Sequence, residues 1–182
     1  QETKTLLHYL GQYLAEIAGP FRLLTSYIFL TGLGTALAAF ATWWYLPKLW
    51  HLLPRDRGRE FAVDAAKSIG KPVSAGILFI PIFIIIALLV VPFEWKFVGI
   101  IACVFAAMVV GYLDDRAIGG WSEYRLGAID LVISLFASVV ICQMESYTIW
   151  LPLFKDAIDI EPILFIPAAT ILIWVSINAT NC

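Results

Sequence analysis

The chain has 182 residues, 61% of them hydrophobic and 14% charged, with a mean hydropathy of +0.86. A water-soluble domain averages about 45–50% apolar and about 25% charged residues, so an aqueous surface is excluded, and with it the soluble-enzyme classes. The net charge of −2 leaves no basic footprint for nucleic acid. Of three cysteines, Cys103 and Cys142 lie inside apolar runs and Cys182 is the last residue, which draws neither a disulfide framework nor a zinc spacing.

In chain order, Leu6, Leu7, Leu10, Leu14 and Ile17 recur at helical spacing and predict an amphipathic helix, an interfacial anchor. Gly19-Pro20 separates it from the first apolar run. That run, Leu23–Pro47, has 25 residues and no charge. Further apolar runs are Pro72–Phe93, Phe97–Leu113, Leu131–Met144 and Pro162–Ile177. A span needs about 17–25 apolar residues, so the fourth run reaches membrane length only by taking in Leu126–Ile129 with Asp130 inside it. The first run is too long, and the start too poor in basic residues, for a signal peptide. The expected fold is an all-α integral membrane protein, with about five transmembrane helices plus the N-terminal amphipathic helix, residues 1–182 forming one polytopic segment.

Five spans give alternating loops. One side collects Lys48, Arg55, Arg57, Arg59, Lys67, Lys71, Arg116 and Arg125; the other has Lys4, Arg22, Lys96 and Lys155. The positive-inside rule puts the first side in the cytoplasm. The same parity puts Asp114, Asp115, Lys67 and the segment Asn178-Ala179-Thr180-Asn181 on that one face.

Asp114 and Asp115 stand where the third span ends. A helix C-terminus disfavours carboxylates, and the bilayer edge adds to the cost. Magnesium together with substrate phosphate would compensate, since Mg²⁺ binds one or two carboxylates plus phosphate oxygens. Adjacent helical side chains point about 100° apart, which allows one aspartate to face a metal and the other a second phosphate. A solvated loop start paired to Arg116 accounts for the pair equally well. Lys67-Ser68-Ile69-Gly70-Lys71-Pro72 leads directly into the second span, where positive-inside bias explains most of the charge but a lysine can also meet an anionic substrate. Asn178 and Asn181 read as helix caps or as partners of ligand amides and hydroxyls. His8 and His51 are lone histidines and read as interfacial.

These motifs, in this order, resemble those of the polyprenyl-phosphate N-acetylhexosamine-1-phosphate transferase superfamily, and within it the phospho-N-acetylmuramoyl-pentapeptide transferases. Lys67-Ser68-Ile69-Gly70-Lys71-Pro72-Val73-Ser74-Ala75-Gly76 resembles the family's Lys-x-x-Gly-Thr-Pro-Thr-Met-Gly-Gly. Gly111-Tyr112-Leu113-Asp114-Asp115 resembles its Gly-Phe-x-Asp-Asp, and Leu151-Pro152-Leu153-Phe154-Lys155-Asp156 resembles its outer loop. Asn178-Ala179-Thr180-Asn181 resembles the Asn-Ala-x-Asn opening of a later motif. Departures are Lys71, Val73 and Ser74 for Thr, Thr and Met, and Ile118 where the family has Lys. The resemblance covers nearly all of this chain but about the first half of a family member. It therefore implies the N-terminal half of a roughly ten-span transferase, whose remaining half completes the active site.

The activity implied by the resemblance is transfer of phospho-N-acetylmuramoyl-pentapeptide from UDP to undecaprenyl phosphate, giving lipid I and UMP at the cytoplasmic face of a bacterial inner membrane. Mg²⁺ is the implied cofactor, with Asp115 at the metal and Asp114 at the polyprenyl phosphate, two roles that could be exchanged. Lys67 is expected at the nucleotide or its phosphates, and Asn178 and Asn181 in the nucleotide pocket. Lys155 and Asp156 are expected to form an outer-loop ion pair. Membrane lipid surrounds the spans, and a homodimer is a family expectation. Alternatives are a transferase using UDP-N-acetylglucosamine, a non-catalytic membrane scaffold, and a transporter, for which only Asp130 offers a charge inside a span.

Overall fold

A computed structural model describes residues 4–56, 69–152 and 155–180. The chain forms two compact units, Gln1–Glu94 with Gly111–Arg116, and Trp95–Val110 with Ala117–Cys182.

The first unit begins with α1 (Leu6–Ala15), where the Thr5 hydroxyl accepts from the His8 N–H at 2.9 Å as an N-cap. Leu6, Tyr9, Leu10, Tyr13 and Ile17 are exposed, as an interfacial helix requires. A 3₁₀ helix, Gly19–Thr25, packs back on α1. The approach is close: a Cβ at Gly11 would lie 2.6 Å from Leu24 Cβ. His8 faces the protein side of this helix. It is buried, stacks on Tyr27 with centroids 5.9 Å apart, and meets the Gln12 amide at 3.3 Å. Ser26 caps α2 (Tyr27–Leu49), which ends in Phe40, Trp43 and Trp44, with Lys48 Nζ 3.5 Å over the Trp44 ring. That pairing suits a membrane interface. Helix α3 (Gly76–Val90) packs on α2 where Gly34 admits Val90, whose Cγ2 would lie 3.1 Å from a Cβ there. Small residues allow such approach between membrane helices.

Helix α4 (Trp95–Arg116) gives its residues 95–110 to the second unit. The unit continues with α5 (Glu123–Cys142), the strands β1 (Tyr147–Leu151) and β2 (Asp156–Ile160), and α6 (Pro162–Thr180). Gly99 of α4 lies against Val140 of α5, so that a Cβ would fall 2.5 Å from Val140 Cγ1. Helix α5, which packs on α6, carries a buried stripe of Asp130, Ser134, Ala137, Ser138 and Cys142. The Ser134 and Ser138 hydroxyls donate one turn back to the Asp130 and Ser134 carbonyls at 2.7 and 2.8 Å, so neither is left unpaired in the apolar interior. Trp174 of α6 donates its indole N–H to the Gly127 carbonyl at 2.8 Å.

Among the described residues, α2, α4, α5 and α6 are each long and apolar enough to cross a membrane. They keep little of their surface inside the protein, as lipid-facing helices do. The all-α membrane expectation holds, with two local differences. Helix α3 has 15 residues although its apolar run, Pro72–Phe93, has 22. Pro72 and a left-handed Ser74 delay its start, and Val91, which precedes Pro92, leaves helical geometry at its end. The antiparallel hairpin β1–β2, in register from Tyr147↔Ile160 to Leu151↔Asp156, stands where only a loop was expected. There the Asp156 carboxylate accepts from the Ala157 N–H at 2.8 Å, a local turn bond in place of the expected pairing with Lys155.

Candidate functional site

The site is built from the end of α4 and the segment entering α3, both in the first unit. Helix α4 runs through Gly111-Tyr112-Leu113 and stops at Arg116, so Asp114 and Asp115 occupy its last turn. The negative end of the helix dipole opposes two carboxylates there, and Arg116 in the same turn offsets part of that field. Both aspartates are half-buried, neither lost to the interior nor fully hydrated.

The segment entering α3 is held by a short ladder. Asp56 N–H donates to the Lys71 carbonyl at 2.9 Å, Gly70 N–H to the Asp56 carbonyl at 2.8 Å, and Val73 N–H to the Pro54 carbonyl at 2.9 Å. Arg55 pairs with Pro72 as an isolated antiparallel bridge and sends Nη1 to the Gly70 carbonyl at 2.9 Å. Gly70 sits at φ +85°, where the turn needs a residue without Cβ. The ladder delivers Ser74 at φ +61°, left-handed and unfavourable by about 1–2 kcal/mol for a residue with a side chain. From there the Ser74 hydroxyl donates to Asp115 Oδ2 at 2.5 Å. A hydrogen bond to an ionised group contributes about 1.5–3 kcal/mol, enough to offset the backbone strain. Its two ends are 41 residues apart in sequence.

The other expected residues are Asn178, Lys67 and Asn181. Asn178 is in the last turn of α6, in the second unit, and its amide donates to the Trp174 carbonyl at 2.9 Å, bonding back one turn as a helix-end residue does. Lys67 and Asn181 lie outside the described residues, as do Arg57 and Arg59. The structure thus joins Asp115 to Ser74, a residue whose role the sequence did not announce. The one signal was that Ser74 stands where the family motif has Met.

Residues 97–182 match the sequence model of glycosyl transferase family 4. This stretch carries that family's sequence pattern. Over 173 residues, 93% of this chain, the sequence is 36% identical to phospho-N-acetylmuramoyl-pentapeptide-transferase from Treponema pallidum, with the same identity to the proteins of two strains of that organism. The resemblance carried by the motifs therefore holds. The chain spans about half the length of these relatives, the match covering 48% of each. No solved structure matches the chain.

Proposed function

We propose that this chain supplies one half of a membrane transferase. It would move phospho-N-acetylmuramoyl-pentapeptide from its UDP carrier to undecaprenyl phosphate, with the site on the cytoplasmic face of a bacterial inner membrane. The observation that carries the reading is the 36% identity extending over 93% of the chain, a range that includes the Asp114–Asp115 turn.

In this reaction a phosphate oxygen of the lipid attacks the β-phosphorus of the UDP-sugar. The bond between the two phosphates breaks, and UMP leaves with its electron pair. The physical setting suits it: the polyprenyl tail dissolves beside the spans while the nucleotide arrives from water. Asp114 would face the lipid phosphate and orient it, accepting its proton where one is present. Asp115, held at one oxygen by Ser74, keeps its other oxygen for a cation or a water in the cation's shell.

Magnesium fits this donor set. It takes one or two carboxylates and completes its shell with water and phosphate. The described residues offer such a pair and no cluster of three or more His, Cys, Asp or Glu that would suit a metal held by protein alone. Asp115, with Asp114 beside it, would hold the ion, which when bound neutralises the diphosphate and the departing UMP. Lys67 would bind the nucleotide phosphates, and Asn178 and Asn181 would line the nucleotide pocket.

The test is UMP release by the full-length protein in membranes, given undecaprenyl phosphate and either UDP-N-acetylmuramoyl-pentapeptide or UDP-N-acetylglucosamine. Release with the first donor alone is expected. Release with the second alone would move the protein to another branch of the superfamily, and release with neither would reject the transferase reading.

A further inference from the structure

We infer that Ser74 is a positioning residue for Asp115: its hydroxyl fixes how the carboxylate is presented to a phosphate-bearing ligand. The inference rests on the transferase reading given above.

Three observations lead to it. The hydroxyl is 2.5 Å from Asp115 Oδ2, a contact that restrains the carboxylate's rotation through one of its two oxygens. The Ser74 side chain also stands where it could have served the start of α3, yet that helix has no side-chain cap; its first turn closes through the carbonyls of Ser74 and Ala75 instead. The hydroxyl is thus directed to the acid rather than to the helix. Finally, Ser74 holds φ +61° although glycine would occupy that backbone without strain. An unfavourable backbone carrying a polar side chain onto one carboxylate is what a positioning role requires, because the strain is held by the Pro54–Asp56 ladder on one side and the first turn of α3 on the other. A freely rotating carboxylate would have to be ordered each time ligand bound.

Two substitutions in the full-length protein separate the hydroxyl from the backbone. Ser74→Ala removes the donor and keeps the strain. Ser74→Gly removes the donor and relieves the strain. Groups that orient a site carboxylate are worth about 10–100-fold in activity. Both variants are therefore expected to lower kcat by about tenfold or more, while KM for the UDP-sugar stays within about twofold. Normal kcat in both would overturn the inference. So would normal kcat in Ser74→Gly alone, because relief of the loop would then be what mattered.

A second readout does not need turnover. Carboxylate infrared bands of protein labelled with ¹³C-aspartate are compared for the unmodified protein, Ser74→Ala and Asp115→Asn. The band lost in Asp115→Asn should shift in Ser74→Ala; an unmoved band overturns the inference. If the unmodified protein releases no UMP while that band still shifts, the transferase reading fails and the orienting contact stands.

Discussion

The two units each pin a distant segment to a helix end, and they do so with different chemistry. In the first, the strained Ser74 donates to a carboxylate in the last turn of α4. In the second, Lys96 near the start of α4 donates to the Tyr147 hydroxyl at 2.6 Å, and that hydroxyl donates to the Ile141 carbonyl at 2.5 Å. The Tyr147 ring stacks on Phe165, centroids 4.8 Å apart. The Tyr147 clamp saturates its hydroxyl and packs its ring, so it is complete in itself. The Ser74 contact uses one oxygen of an acid and leaves the acid beside a second one, against the helix dipole. The Ser74 contact thus carries a strained backbone and adjacent negative charges that the Tyr147 clamp does not.

That contrast can be broken by experiment. The largest effect is expected for Asp115→Asn in the full-length protein: UMP release falls by about 100–1,000-fold, what loss of a group stabilising transition-state charge costs. Expression and detergent melting temperature should stay near those of the unmodified protein. A stability loss with turnover per folded molecule intact would make the Ser74 contact a second clamp. Gly99→Ala should show the opposite pattern. Its new Cβ would meet Val140 at 2.5 Å, and overpacking costs about 1–3 kcal/mol, read as a lower melting temperature. Tyr147→Phe removes a part-buried hydroxyl with two partners and should destabilise by about 1–2 kcal/mol without changing kcat. A changed kcat would give the hairpin end a catalytic role. The smallest effect is expected at the Thr5 cap, where Thr5→Ala should cost about 0.5–1 kcal/mol, confined to the fraying of α1 and visible in hydrogen exchange.

The spans were legible because composition and charge punctuation are properties of single segments. Phe97–Leu113 lies within α4, and all of the first run but its opening four residues lies within α2; the amphipathic repeat became α1, which ends at Ala15, and Gly19-Pro20 opens the 3₁₀ helix that follows. Asp130 was correctly admitted inside a span, and it is buried in α5. What stayed hidden depended on partners far away in sequence. Nothing local marks Ser74 as left-handed, a position usually given to glycine or asparagine, or ties it to an acid 41 residues later. The hairpin was masked because Tyr147–Leu151 is short and apolar in a chain rich in such stretches, and strand pairing is fixed by register rather than composition. The stacking of His8 on Tyr27 was hidden because Tyr27 lies beyond the break between α1 and the 3₁₀ helix.

The shortness of α3 sets a condition on the membrane itself. Fifteen residues rise about 22 Å, against a hydrocarbon layer of about 30 Å. As the second span, α3 would draw the local bilayer thinner or hold its flanking backbone below the headgroups. Irregular backbone survives at that depth only with its polar groups satisfied by protein, and the segment Pro54–Asp56 pairs the Gly70 and Val73 N–H groups and the Gly70 and Lys71 carbonyls. Ser74 and its acid partner would then sit at a dimple in the lipid surface, where the phosphate of a lipid meets water at reduced thickness. Acyl-chain length would thus become a variable of the site: as a span, α3 would match bilayers of short-chain lipids without distortion, and progressively longer chains would have to deform to reach the same loop.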